Sequence, residues 1–324
     1  MKQNVVLYKK IPTFAMKKLS AHFNVSYFNG INAKNKSDFI SALKNAEGLI
    51  GASVNMKNDF LKFAPHLKAI STISVGYDNF NVSELTDRKI RLMHTPDVLT
   101  DTTADAIFTL ILSTARRAVE LSIMVREGKW CSSIGSKHYG TDVHHKIIGI
   151  IGMGRIGKAV TKRAHCGFDM QILYTGNHAN QEVESLYHAE FCTLDDLLAR
   201  SDFVCITAPL LPSTEKLISC EKIALMKPNA ILINGARGKI VDQNALIEAL
   251  RNKTIRAAGL DVFEVEPLPK DSPLLTLNNV VLLPHIGSAT EETRNKMAEC
   301  AVDNLIMALA PGKPTKNWVN PEVN

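Results

Sequence analysis

The chain has 324 residues, 45% of them apolar and 22% charged, with a formal net charge of +6. This is the composition of a soluble globular protein, long enough for about two domains and large buried cores. No run of about 18 apolar residues marks a membrane span, the opening MKQNVVLYKKIPTF carries no secretory signal, and the basic residues are spread along the chain rather than gathered on one face as nucleic-acid binding requires.

In chain order, NVVLYK reads as a strand and TFAMKKLSAHF as a helix. VSYFN is a strand, KSDFISALKNA a helix with Ser37 as its cap, and EGLIGAS a strand. KNDFLKFAP follows as a helix, LKAISTIS as a strand, VSELTDRK as a helix and IRLMHTP as a strand. Strand and helix in alternation imply a parallel sheet covered by helices. TTADAIFTLILSTARRAVELSIMVREG has one long helical pattern, read as a bridge into a second unit. From about 125 to 285 that unit alternates again, with strands KIIGII, MQILYTG, FVCITAPL, NAILINGA, RAAGLDVF and NVVLLPHI separated by helices. The closing TEETRNKMAECAVDNLIMALAPG is helical, ends at Pro311-Gly312 and is expected to pack back on the first domain. The six cysteines form no C-x-x-C pair, and several lie in apolar runs. They read as small buried hydrophobes of a reducing, cytoplasmic compartment, with no disulfide framework and no metal site.

Within IIGIIGMGRIGKAV stand Gly152, Gly154 and Gly157, spaced G-x-G-x-x-G between a strand and a helix. That context makes the pattern a dinucleotide fingerprint. Gly152 permits the tight turn, Gly154 lets the backbone approach a pyrophosphate, and Gly157 lets helix and strand pack closely. The N–H groups of Arg155 and Ile156 at the helix start are the expected phosphate donors. About 20 residues beyond the loop, an acid would select NAD by its ribose hydroxyls. The chain has Asn177 there and no acid before Glu182, which tilts the expectation toward NADP(H), with Arg155 assisting and NAD(H) still possible.

Three further residues stand at or just past the carboxyl ends of apolar strands: Arg237 after AILIN, Glu266 after GLDVF and His285 after VVLLP. Open parallel sheets bind ligands outside those ends. An Arg fork can contact a carboxylate and a carbonyl together. A His can protonate the alkoxide left when hydride reaches a ketone carbon, and a neighbouring carboxylate fixes the ring's tautomer and favours its protonated form. Taken singly, Arg237 also fits a surface turn and His285 a structural histidine.

The stretches IIGMGRIGKAV, LMKPNAILINGARGKIVDQNALIEAL, GLDVFEVEPLP and LLPHIGSAT resemble the D-isomer-specific 2-hydroxyacid dehydrogenases over essentially the whole chain. The resemblance implies an α/β protein with two doubly wound parallel-sheet domains. A Rossmann cofactor domain, 101–286, is inserted in a flavodoxin-like substrate domain, 1–100 and 287–324. It implies substrate binding by Arg237, acid–base work by His285 and a partner role for Glu266. The backbone N–H groups of Val75 and Gly76 would hold the substrate carboxylate. Thr103, Ala208, Pro209, Asn234, Gly235, Ala236, Asp261 and Gly287 would line the cofactor. It implies a homodimer that reduces small 2-oxo acids such as glyoxylate, hydroxypyruvate and 2-keto-gluconate to D-2-hydroxy acids. NADP-preferring relatives usually carry Arg after the second strand of the cofactor domain, where this chain reads TGNHAN. A dinucleotide-sensing binding protein with little turnover and a phosphoglycerate-type dehydrogenase are the alternatives. The latter is disfavoured because a C-terminal regulatory domain is not expected beyond Asn324.

Overall fold

The computed structural model describes every residue except Met1, Ser53, Asn55, Lys57, Asn58, Asp59 and Asn324. The chain divides into two compact units, Met1–Leu99 with Ala289–Asn324, and Thr100–Ser288.

The first unit is built on a five-stranded, all-parallel sheet. Its strands are β1 (Asn4–Leu7), β2 (Asn24–Tyr27), β3 (Gly48–Gly51), β4 (Ala69–Thr72) and β5 (Arg91–Met93). Their order is β2-β1-β3-β4-β5, the flavodoxin-like winding. Strands β3 and β4 are buried along their whole length, as helices on both faces demand. The helices are α1 (Thr13–His22), α2 (Lys36–Leu43) and α3 (Val82–Asp87). Ser37 does not cap α2: the helix already starts at Lys36, and Asn35 stands at its cap position. The Asn35 side-chain oxygen accepts from the Asn32 N–H at 2.8 Å instead of from the helix. The helix expected over KNDFLKFAP falls partly on Lys57 to Asp59, outside the described residues; Leu61–Phe63 form a single 3-10 turn.

The second unit is built on seven parallel strands: β6 (Ile147–Ile151), β7 (Gln171–Thr175), β8 (Glu190–Phe191), β9 (Phe203–Ile206), β10 (Ile231–Asn234), β11 (Ala257–Leu260) and β12 (Val280–Leu282). Their order, β12-β11-β10-β9-β6-β7-β8, is the doubly wound Rossmann arrangement, which reverses direction next to β6. The two-residue β8 is too short to register as a sequence pattern.

The single helix expected over 102–128 is two, α4 (Thr100–Ala115) and α5 (Ala118–Arg126). Arg117 breaks it in the left-handed region, φ 54°. The Ala115 carbonyl, which a continuous helix would spend on residue 119, accepts instead from the Thr141 N–H at 2.9 Å. Helix α4 is no bridge: it packs on β10, β11 and α6 (Arg155–Phe168) within the second unit.

The remaining helices of that sheet are α7 (Gln181–Tyr187), α8 (Leu194–Arg200), α9 (Cys220–Ala224) and α10 (Gln243–Arg251). Asn180, Thr193 and Asp242 cap α7, α8 and α10 with their side chains. Only a 3-10 turn, Pro273–Thr276, separates β11 from β12. Pro267, Pro269 and Pro273 in that stretch remove the N–H donors an α-helix needs. The last helix, α11 (Glu291–Leu309), belongs to the first unit and packs on β3, β4, β5 and α1. All six cysteines are free, but only Cys205 is fully buried, its thiol pushed up to about 12 by burial. Cys131, Cys166 and Cys220 are exposed because each lies on a loop or helix face turned to solvent.

Candidate active site

Two groups of residues gather at the carboxyl ends of the seven-stranded sheet. The first is the turn from β6 into α6. Gly152 has φ 100°, and a Cβ there would stand 2.7 Å from the Ala208 backbone. Its carbonyl is held by the Thr207 hydroxyl at 2.6 Å, and a Cβ on Gly157 would come within 2.4 Å of that same oxygen. These two glycines are therefore demanded by protein packing. Gly154 is not: a Cβ there would meet no protein atom within 4 Å. It precedes the first helical residue, Arg155, so the N–H groups of Arg155 and Ile156 stand in the first turn of α6, at the positive end of the helix. A glycine that packing does not need, directly before the start of a helix, fits a closely approaching pyrophosphate. Asn177 lies exposed just past β7, and Ala208 and Pro209 follow β9.

The second group lies past β10, β11 and β12. Asn234 ends β10, buried; its side chain accepts from the Ala236 N–H at 3.1 Å and donates to the Arg237 carbonyl at 2.9 Å. Gly235 packs against Ile107, and Gly238 lies so close to Phe263 that no side chain could stand there. Arg237, half-buried, is thus held beside the loop that carries Glu266. His285 Nδ1 lies 2.7 Å from Glu266 Oε2, and Glu266 Oε1 accepts from the Phe263 N–H at 3.0 Å. Burial pulls the Glu266 carboxyl upward. The hydrogen bonds from His285 and Phe263, with the nearby charges of His285 and Arg237, more than offset it and hold the group below the usual carboxylate range.

His285 sits at φ 56°, in a turn that residues with a Cβ rarely adopt. Asp261 maintains it. This carboxylate is 2% exposed and accepts from the Ile286 N–H at 2.7 Å and the Gly287 N–H at 2.8 Å. Burial pushes its carboxyl up, against those two hydrogen bonds. Thr103 of α4 stands beside it: a Cβ on Gly287 would lie 3.4 Å from both the Asp261 carboxylate and the Thr103 methyl. Val75 and Gly76 lie in the other unit, in the loop after β4.

Residues 108–287 match the family model described as D-isomer specific 2-hydroxyacid dehydrogenase, NAD binding domain. Over 323 residues, all of this chain and 99% of that protein, the sequence is 56% identical to glyoxylate/hydroxypyruvate reductase B of Yersinia pestis (strain Pestoides F). The chain belongs to the D-isomer-specific 2-hydroxyacid dehydrogenase family. Among solved structures it is similar to the TT0316 protein of Thermus thermophilus, with TM-score 0.89 and 38% identity over 98% of this chain and 100% of that one. It is also similar to an NADPH-dependent glyoxylate/hydroxypyruvate reductase of Sinorhizobium meliloti solved with NADP and malonate, with TM-score 0.87 and 28% identity over 99% and 98%.

The family's dinucleotide suits the residues present: the open glycine, the α6 N-terminus and the strand ends past β9 and β10 give it a phosphate cradle and a floor. Two supporting groups escaped the sequence, and a third, Asp261, was expected only to line the cofactor. Thr207 tethers the glycine turn, the Phe263 N–H fixes Glu266, and the two oxygens of Asp261 fix the His285 turn. The first two leave no signal, since a Thr after a strand and a backbone N–H are commonplace. Asp261 does leave one: an acid inside the apolar run GLDVF must find donors.

Proposed function

We propose that this chain reduces small 2-oxo acids, namely glyoxylate, hydroxypyruvate and 2-keto-gluconate, to D-2-hydroxy acids, with NADPH preferred and NADH accepted. The 2.7 Å contact between His285 Nδ1 and Glu266 carries this assignment. With Nδ1 committed to the carboxylate, Nε2 is the ring nitrogen that gives a proton to the carbonyl oxygen. Glu266 keeps the ring in that tautomer. Arg237 polarises the carbonyl and pairs with the substrate carboxylate, which the N–H groups of Val75 and Gly76 also receive. When bound, the dinucleotide supplies hydride to the carbonyl carbon. Asp261 and Gly287 position His285 and, with Thr103, Ala208, Pro209, Asn234, Gly235 and Ala236, line the nicotinamide side. Gly152, Gly154, Arg155, Ile156 and Gly157 take the pyrophosphate.

NADPH preference is supported by the absence of an acid at Asn177, which would repel a 2′-phosphate, and by Arg155 nearby in the turn. A homodimer is supported by the apolar residues that α5 and the segment after it expose: Val119, Ile123, Val125, Trp130, Ile134 and Tyr139. The six free cysteines support a cytoplasmic location, and among the described residues no helix is long and apolar enough to cross a membrane. Steady-state rates with the three oxo acids, each with NADPH and NADH, test the assignment. Turnover of at least one acid, faster with NADPH, is expected. Tight NADPH binding with no turnover of any would establish the sensing alternative instead.

A further inference from the structure

The sequence places a second histidine at the end of an apolar strand, in RLMHTP, where it precedes a proline, whereas His285 follows one in VVLLPHI. His94 follows β5 directly and is half-buried. Its main chain is fixed from both sides. The His94 N–H donates to the Asn317 carbonyl at 3.0 Å, and its own carbonyl accepts from the side chain of the buried Asn304 at 2.7 Å. The ring then faces the loop after β4: His94 Nδ1 lies 3.0 Å from the Val75 carbonyl. A carbonyl only accepts, so Nδ1 carries the proton.

The other carbonyls of that loop are held as well. Ser74's accepts from the Thr95 N–H at 2.9 Å, and Gly76's accepts from the Ser74 hydroxyl at 2.5 Å. That hydroxyl in turn lies 2.8 Å from the hydroxyl of Thr72. A trans peptide is planar, with its C=O and N–H pointing in opposite directions. Holding the Ser74 carbonyl therefore sets the direction of the Val75 N–H. Holding the Val75 carbonyl sets that of the Gly76 N–H. Two successive N–H groups aimed alike form an anion-binding nest. Thr95 contributes through its backbone, whatever its side chain. His94 contributes through its ring, and Tyr77 packs edge-on against that ring, with centroids 5.7 Å apart.

We propose that His94 is a positioning residue for the substrate's carboxylate, aiming the Gly76 N–H through its hydrogen bond to the Val75 carbonyl. The proposal rests on the assignment of Val75 and Gly76 as carboxylate donors. It is tested on the full-length enzyme with His94→Phe, His94→Asn and Gly76→Pro, reading KM and kcat for glyoxylate and the NADPH Kd. Phe keeps the ring's packing on Tyr77 and deletes the donor. It is expected to raise the glyoxylate KM about tenfold, with kcat and the NADPH Kd little changed. Asn, whose side-chain N–H reaches where Nδ1 stood, restores most of the affinity.

Gly76→Pro removes the N–H itself and separates the two ways of failing. If it raises KM while His94→Phe does not, the loop binds the carboxylate and His94 does not position it. If neither changes KM, the carboxylate assignment falls and the proposal with it. A His94→Phe enzyme that loses kcat and NADPH affinity along with glyoxylate affinity also overturns the proposal, because the ring then serves the fold at large. In the unaltered protein, NMR of isotope-labelled histidine rings must show a proton on His94 Nδ1; a bare Nδ1 overturns the proposal whatever the variants do.

Discussion

The glycine turn after β6 and the corner formed past β10, β11 and β12 lie at the same edge of one sheet, yet they are built by different means. The turn is local: Gly152, Gly154 and Gly157 fall within six residues, and backbone N–H groups serve it. The corner is assembled from Arg237, Asp261, Glu266 and His285, spread over nearly fifty residues, and side chains serve it. A backbone site tolerates many neighbours, because what it needs is the space glycine leaves. A side-chain site depends on each supporting contact. The two regions should therefore fail differently, one in cofactor affinity and the other in the chemical step.

The sharpest contrast is expected from Arg237→Ala. It should lower kcat/KM for glyoxylate on the order of a thousandfold and leave the NADPH Kd unchanged by fluorescence titration. Arg237→Lys should not restore it, since an ammonium lacks the planar fork. An unchanged kcat/KM would place Arg237 outside the corner. Next, Asp261→Asn replaces one acceptor oxygen by an NH2 group that faces a backbone N–H. The His285 turn should shift and kcat fall on the order of a hundredfold; a kcat near that of the unaltered enzyme would remove Asp261 from the support of His285.

Within the glycine turn the two kinds of glycine should separate. Gly154→Ala should melt like the unaltered protein yet weaken NADPH at least about tenfold. Gly152→Ala, strained at φ 100° and crowding Ala208, should cost about 1–3 kcal/mol of stability. Equal melting temperatures for the two variants would contradict this division.

The smallest effect concerns pH. The Glu266 carboxyl is held below its usual range, so its pairing stabilises the fold above that range and the contribution fades as pH falls through the lowered value. Glu266→Gln should melt below the unaltered protein at neutral pH, by the equivalent of about 1 kcal/mol or less for a group this exposed. The gap should close on acidification. A gap that widens at low pH would reverse the sign.

Much of this was legible in the sequence, for identifiable reasons. Strands covered on both faces become unbroken apolar runs, so AILIN and VVLL mark themselves, and the residues just past them inherit a place at the ligand edge. Arg237, Glu266 and His285 were singled out that way, and the structure brings Glu266 and His285 into contact. What stayed hidden depends on contacts between distant segments. The break at Arg117 exists because residue 141 claims the Ala115 carbonyl, and no helical periodicity records that. The failed cap at Ser37 turns on the helix starting one residue earlier, at Lys36, which puts Ser37 inside it. The support of His285 by Asp261 needs two N–H groups that converge only once the turn after β12 has formed.

The most direct test of the account is a single-turnover measurement on His285→Gln, with enzyme saturated by NADPH and mixed rapidly with excess glyoxylate. Cofactor oxidation should slow about a hundredfold or more while the NADPH Kd stays the same. A single-turnover rate equal to that of the unaltered enzyme would show that the proton comes from elsewhere and that the pairing of His285 with Glu266 is architecture alone.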